Sequence, residues 1–309
     1  MTELQTYLAE EVAEDLADGI ITRREAMRRL ALLGLTTSAA SALLTTFAAP
    51  AAPARARGRG GTGTGTETLW SPVAPPSITF AGPRGTLMAA WAAAVKPRGG
   101  VLVIHENRGL TEHIRTVAAR LAASGWSALA LDLLSEEGGT GSFPGEAEVM
   151  AALSNAAPER FVADMKAAND ELDRRVRRKR LAAIGFCFGG GMVWRLLASG
   201  EPRLGAAAPF YGPFPQDGRL DGSRAAVLGV YGELDDRVNA SRPAAKAALE
   251  AAGLEHELVT FGGADHAFFN DTGARFHPAA AAEAWRRTLN WFDAHGRGRD
   301  DDDHDEDDD

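Results

Sequence analysis

From about residue 86 onward the chain alternates two patterns. Short, continuous apolar runs are followed by longer stretches whose apolar positions recur every three to four residues. "TLMAAWAAAV" (86–95), "GVLVIHE" (100–106), "WSALALDLL" (126–134) and "RLAAIGF" (180–186) have the length and composition of buried strands. "LGAAAPFYG", "AAVLGVYG" and "HELVTF" continue the series. Between them, "EHIRTVAARLAASG" (112–125) carries helical spacing and a terminating Gly. "PERFVADMKAANDELDRRV" (158–176) opens on Pro in the first turn and runs amphipathically. "GGMVWRLLASG" (190–200), "SRPAAKAALEAAG" and "HPAAAAEAWRRTLNWFDAHG" supply further helices. Repeated strand–helix units predict an α/β fold: a mostly parallel central sheet with helices on both faces.

In such sheets, functional side chains gather beyond the carboxyl ends of the strands. Past "RLAAIGF" stands Cys187, the only cysteine, inside "GFCFGGG". A nucleophile on a sharp strand-to-helix turn has the pattern G-x-Nuc-x-G. Gly185 and Gly189 leave room where a side chain would collide. The helix that starts there aims N–H groups at the thiol, which favours the thiolate and an oxyanion. The Phe188 N–H is the first candidate oxyanion donor. The plain alternative is a buried packing cysteine. Past "AAVLGVYG" lie two acids, Asp235 and Asp236, and past "HELVTF" lies His266 in a glycine-rich loop. Past "GVLVIHE" lies Glu106. The chain order nucleophile, acid, histidine is that of α/β-hydrolases.

These residues carry a resemblance to the dienelactone hydrolase family, the cysteine branch of the α/β-hydrolases, over roughly residues 75–295. "GFCFGG" matches its G-x-C-x-G-G motif, "GELD" its G-x-x-D motif, "GADHAF" its G-x-x-H-x-F motif, and "HENRGL" its early glutamate segment. The resemblance implies Cys187 as nucleophile, His266 as base, Asp235 rather than Asp236 as the orienting acid, and Glu106 as the carboxylate that handles the thiol. It implies an oxyanion hole from the backbone amides of Asn107 and Phe188. The expected reaction is ester or lactone hydrolysis through a thioester, on a small-molecule substrate. Members that cleave dienelactone place an arginine shortly after the histidine; here Asn270 stands there, followed by Asp271. Dienelactone itself is therefore not the expected substrate.

Two other classes compete. A free thiol on the same fold would suit a non-catalytic or redox-sensing module, but a sensor needs no aligned histidine and acid. An inert relative of a serine hydrolase would not need Glu106.

The N-terminus reads as an address. Arg23 and Arg24 form a twin-arginine pair, Leu30 to Ala49 is uncharged, and A-x-A sites fall at Ala49–Ala51 and Ala54–Ala56. The expected organisation is a twin-arginine-type export signal (1–56), a Gly/Thr-rich linker (57–70), the hydrolase domain (71–297) and an acidic tail (298–309). This predicts an exported protein, periplasmic or extracellular, handled by the twin-arginine machinery and membrane-anchored only where the signal is retained. The single cysteine excludes an intramolecular disulfide. The net charge of −9 is local: residues 300–309 hold nine acids, and the remaining 33 acidic residues balance 33 Lys and Arg. That balance argues against a nucleic-acid partner. No metal-ligand spacing, phosphate loop or cofactor motif appears, so no cofactor is expected.

Overall fold

The computed structural model describes residues 1–47, 75–177 and 179–296. The A-x-A sites, the Gly/Thr linker and the acidic tail lie outside the described residues. In chain order the elements are α1 (Glu3–Ala17), α2 (Arg23–Leu32), α3 (Thr37–Thr46), β1 (Ser77–Gly82), β2 (Gly85–Ala92), β3 (Gly99–Ile104), α4 (Glu112–Ala123) and β4 (Trp126–Asp132). They continue with α5 (Glu146–Asn155), α6 (Pro158–Val176), β5 (Arg180–Phe186), α7 (Phe188–Ala198), β6 (Leu204–Phe210), β7 (Ala226–Gly232), α8 (Asp236–Asn239), α9 (Arg242–Ala251), β8 (His256–Phe261) and α10 (Pro278–His295). They divide into two units: residues 1–47 with 144–155, and residues 75–143 with 156–296.

The smaller unit holds α1, α2, α3 and α5. Each of the first three helices begins on a threonine whose hydroxyl accepts a backbone N–H: Gln5 to Thr2 at 3.1 Å, Glu25 to Thr22 at 3.2 Å and Ala39 to Thr36 at 3.3 Å. Leu8, Val12, Ala26 and Leu30 are fully buried. Buried Arg29 pairs with Glu25 at 2.9 Å and with Glu146 on α5 at 3.3 Å, and Arg28 pairs with Glu148. The uncharged stretch from Leu30 is therefore divided between the end of α2 and α3. Among the described residues, no helix is long and apolar enough to cross a membrane.

The larger unit is built on an eight-stranded sheet in the order β1-β2-β4-β3-β5-β6-β7-β8. β2 runs antiparallel to β1 and β4; every other pairing is parallel. All residues of β3, β4 and β7 are buried, as strands covered on both faces must be. The expected α/β-hydrolase architecture is what the chain adopts. Several boundaries differ from the expected ones, and one strand was not expected. β2 stops at Ala92, where its register with β4 ends at Ala128, instead of running to Val95. α7 starts at Phe188 rather than Gly190, because its first turn sits directly on the strand end. β1 is an edge strand with a single buried residue, Phe80, and its sequence carries no apolar run.

The β1–β2 turn is tied to α6 through charge. Arg84 donates to Asp164 at 2.9 Å and pairs with Glu136, while Arg160 pairs with Glu137 at 2.5 Å. Burial pushes the Asp164 carboxyl up to about 6; Arg84 and Arg160 pull it down, and Glu136 and Glu137 push it further up. A carboxyl whose folded pKa exceeds its unfolded value of about 3.9 contributes stability at low pH. That contribution is lost as pH rises through about 6. Asp164→Asn should therefore flatten the pH dependence, with wild type losing about 1–2 kcal/mol more than the variant between pH 4 and 7 in urea titrations. Equal losses in the two proteins would refute this.

Candidate active site

The site begins with a close approach of backbone to backbone. A Cβ on Gly185 would lie 2.2 Å from the Gly189 carbonyl oxygen. A Cβ on Gly189 would lie 2.4 Å from the oxygen of Ile104 and 2.5 Å from that of His105. Only glycine permits α7 to start so close to the ends of β3 and β5, which are parallel neighbours with Ile104 opposite Gly185. Between these glycines Cys187 adopts φ 55°, ψ −120°, outside the regions open to L-residues without strain. Its N–H donates to the Phe210 carbonyl at the end of β6 at 3.0 Å, and its carbonyl accepts from Gly191 at 3.1 Å. Cys187 is 2% exposed.

Asp235 caps α8, accepting the Val238 N–H at 3.2 Å. His266 donates from Nδ1 to Asp235 Oδ2 at 2.7 Å, with both side chains buried. Since a carboxylate only accepts, Nδ1 carries the proton and Nε2 is the nitrogen left for chemistry. A His266 ring nitrogen lies within 4.8 Å of Cys187 Sγ. Asp236 is exposed on α8 and stands apart from this line. Burial alone would push the Asp235 carboxyl up; His266, then Arg237 and the Val238 N–H, outweigh it and hold the group below its ordinary range. Burial opposes charge on His266 too, but Asp235 and then Cys187 raise it well above an ordinary imidazole.

Glu106 lies two residues beyond β3, 4% exposed. Its Oε2 accepts from Asn270 Nδ2 at 2.7 Å. The Asn270 carbonyl oxygen is engaged by the Thr272 N–H at 3.0 Å and hydroxyl at 2.6 Å, which fixes the amide with its N–H groups toward Glu106. Burial pushes Glu106 up, against the pull of His113, Arg108, Asn270 and His266 in that order. Asn107 is buried in the turn closed by Gly109 N–H to Glu106 O at 3.1 Å, and Phe188 is the first residue of α7. His105 holds the loop: its Nδ1 donates to the Glu106 carbonyl at 2.7 Å and its Nε2 accepts from Leu133 at 3.1 Å. Burial lowers its pKa, so it is a neutral, structural imidazole.

Three participants were not among the residues chosen from sequence. Tyr211, at φ 35° just past β6, packs its ring 5.3 Å from that of His266. Its hydroxyl is pushed well up by burial, then by Glu106, Cys187 and Asp235. The only sequence signal was an aromatic hydroxyl at a strand end. Asn270 was marked as a departure from the arginine pattern, without a partner; its partner is Glu106. His113 pairs with Asp271 at 2.9 Å. Of the arginines near in sequence, Arg275 faces Asp265 at 3.9 Å and Arg237 faces Asp235.

A profile of the dienelactone hydrolase family matches residues 86–296. A relative in Escherichia coli O157:H7, provisionally named a carboxymethylenebutenolidase, is 33% identical over 230 residues, covering 69% of this chain and 84% of the relative. A crystal structure of a provisionally named dienelactone hydrolase from Klebsiella pneumoniae is similar with a TM-score of 0.61 and 28% identity, over 71% of this chain and 99% of that one. A dienelactone hydrolase-like promiscuous phosphotriesterase from metagenomic libraries is similar with a TM-score of 0.58 and 25% identity, over 71% of this chain and 97% of that one. The chain belongs to the dienelactone hydrolase family and is a hydrolase.

Proposed function

We propose that the chain hydrolyses carboxylic esters or lactones through a Cys187–His266–Asp235 triad and a thioester. The observation that carries this reading is the buried Asp235–His266 hydrogen bond of 2.7 Å, whose imidazole reaches the strained Cys187 turn. The Cys187 thiol passes its proton to Nε2 of His266, and Sγ attacks the substrate carbonyl carbon. The backbone N–H groups of Asn107 and Phe188 receive the oxyanion, each donor contributing about 2.7–4 kcal/mol in comparable sites. His266 gives a proton to the leaving alkoxide, and the C–O bond breaks to leave a thioester. Water then attacks the thioester, passing its proton to His266. The C–S bond breaks, the acid leaves, and His266 returns the proton to Sγ. A thiolate is a good leaving group as well as a good nucleophile, so activated esters, lactones and thioesters suit it better than amides. The redox-sensing alternative needs no histidine and acid aligned with the thiol, so the buried Asp235–His266 hydrogen bond favours the hydrolase reading.

Cys187→Ala should lower kcat/KM for an activated aryl ester by at least about 10³-fold. Iodoacetamide should label wild type once, and intact mass should reveal an acyl adduct with a slow ester. Unchanged turnover in the alanine variant, or a sulfenic product with peroxide and no esterase activity, would overturn the reading. Asp235→Asn should cost on the order of 10³–10⁴-fold in kcat by leaving His266 in the wrong tautomer. Asp236→Asn should leave kcat unchanged, and an equal loss in both variants would refute the choice of acid.

We also propose that residues 1–56 direct export. Arg23 and Arg24, in the first turn of α2, are exposed, as an address read by a receptor requires. Protein recovered outside the cytoplasm should have a mass beginning after Ala51 or Ala56, and replacing both arginines by lysine should retain it inside. Full-length protein found only inside the cell would overturn export.

A further inference from the structure

The segments that carry Asn107 and Phe188 meet at His105. A Cβ on Gly189 would lie 2.5 Å from the His105 carbonyl oxygen, so the first turn of α7 touches the turn after β3 directly. The His105 ring stacks on that of Phe188, with centroids 6.2 Å apart and planes 21° from parallel. It is fully buried, and both of its nitrogens are in use.

The partners dictate the tautomer. A carbonyl oxygen only accepts, so Nδ1 carries the proton that meets the Glu106 oxygen at 2.7 Å. A backbone N–H only donates, so Nε2 is the lone-pair nitrogen that takes the Leu133 N–H at 3.1 Å. An imidazolium would lose the second bond, and burial disfavours it.

The Nδ1 bond falls on one particular carbonyl: that of the peptide whose N–H belongs to Asn107. No peptide bond among the described residues is cis. The C=O and N–H of this peptide therefore point in opposite directions across one rigid plane. Fixing the oxygen fixes the donor, and a hydrogen bond to the oxygen also polarises the peptide toward a stronger N–H. The same oxygen takes the Gly109 N–H at 3.1 Å, but that bond lies within the turn and turns with it. His105 instead links the peptide to Leu133, just past β4. The far end of the turn has its own anchor. Leu110 N–H donates to the Thr140 hydroxyl at 2.9 Å, and that hydroxyl donates to Asp132 at 2.9 Å.

We propose that His105 is a positioning residue for the oxyanion hole: its Nδ1–H sets the direction of the Glu106–Asn107 peptide and so aims the Asn107 N–H. This rests on the reading of Asn107 as an oxyanion donor in a thiol hydrolase. The Leu110–Thr140 anchor holds the turn in either case; the imidazole holds the tilt of its first peptide.

Two substitutions separate the two ring nitrogens. Asparagine carries an amide N–H where imidazole carries Nδ1, so His105→Asn keeps a donor for Glu106 and loses the Leu133 bond. Glutamine places its amide further out, where imidazole carries Nε2, so His105→Gln keeps an acceptor for Leu133 and loses the donor. In the full chain, His105→Gln should lower kcat for an activated aryl ester by about 10²-fold or more, with KM moving less than about threefold. His105→Asn should cost less than about tenfold. Alkylation of Cys187 by iodoacetamide, which forms no oxyanion, should keep its wild-type rate in both. In wild type alone, ¹⁵N NMR of the ring should show Nδ1 protonated and Nε2 bare. Equal losses in the two variants, alkylation falling in step with ester turnover, or an Nε2–H tautomer in wild type overturns the inference. An inactive Cys187→Ala beside a fully active His105→Gln overturns this inference alone. Full turnover in Cys187→Ala overturns the hydrolase reading, and the wild-type tautomer then still reports whether His105 holds the Glu106 carbonyl.

Discussion

The constraint on which the site depends is the contact of the first turn of α7 with the carboxyl ends of β3 and β5. Gly185 and Gly189 leave less space than a methyl group needs, so the backbones of three elements meet there without a side chain between them. Cys187 is held between them at φ 55°, a conformation that costs a non-glycine residue roughly 1–3 kcal/mol and persists only where its surroundings over-determine it. The surroundings here are the hydrogen bond to Phe210, the helix that begins one residue later, and strands buried on both faces. A strained turn at the centre of a rigid sheet keeps the thiol in one place, and the two loops bearing Asp235 and His266 are placed against that fixed point.

How much of this was readable beforehand follows from what each element needs. β5 and α6 fall where the apolar patterns put them, because burial on both faces or along one helical stripe writes itself into composition. β1 escaped because an edge strand with one buried residue has no such run. α5 escaped because "EAEVMAALSN" is short and has no terminating signal of the kind that marked α4. In the site, strand ends pointed to Cys187, His266 and two acids, Asp235 and Asp236; the family resemblance chose Asp235, the one that His266 meets. The pairs Glu106–Asn270 and His113–Asp271 join residues 164 and 158 apart in sequence, and no local pattern encodes such a meeting. Even the absence of arginine at position 270 said only what was missing, not that an amide would turn toward Glu106.

That amide changes the electrostatics of the site. A guanidinium at the same place would compensate Glu106 and also offer fixed charge to a carboxylate on the substrate. Asn270 does the first weakly and the second not at all, and its carbonyl oxygen is already taken by Thr272. Burial then favours the neutral acid unless positive charge comes from elsewhere. At Asp235 the same burial is answered differently: Asp235 and His266 compensate each other directly at 2.7 Å. Asp235 thus holds its charge through a tight ion pair, whereas at Glu106 burial outweighs the amide and the cations around it and pushes the carboxyl toward its neutral form.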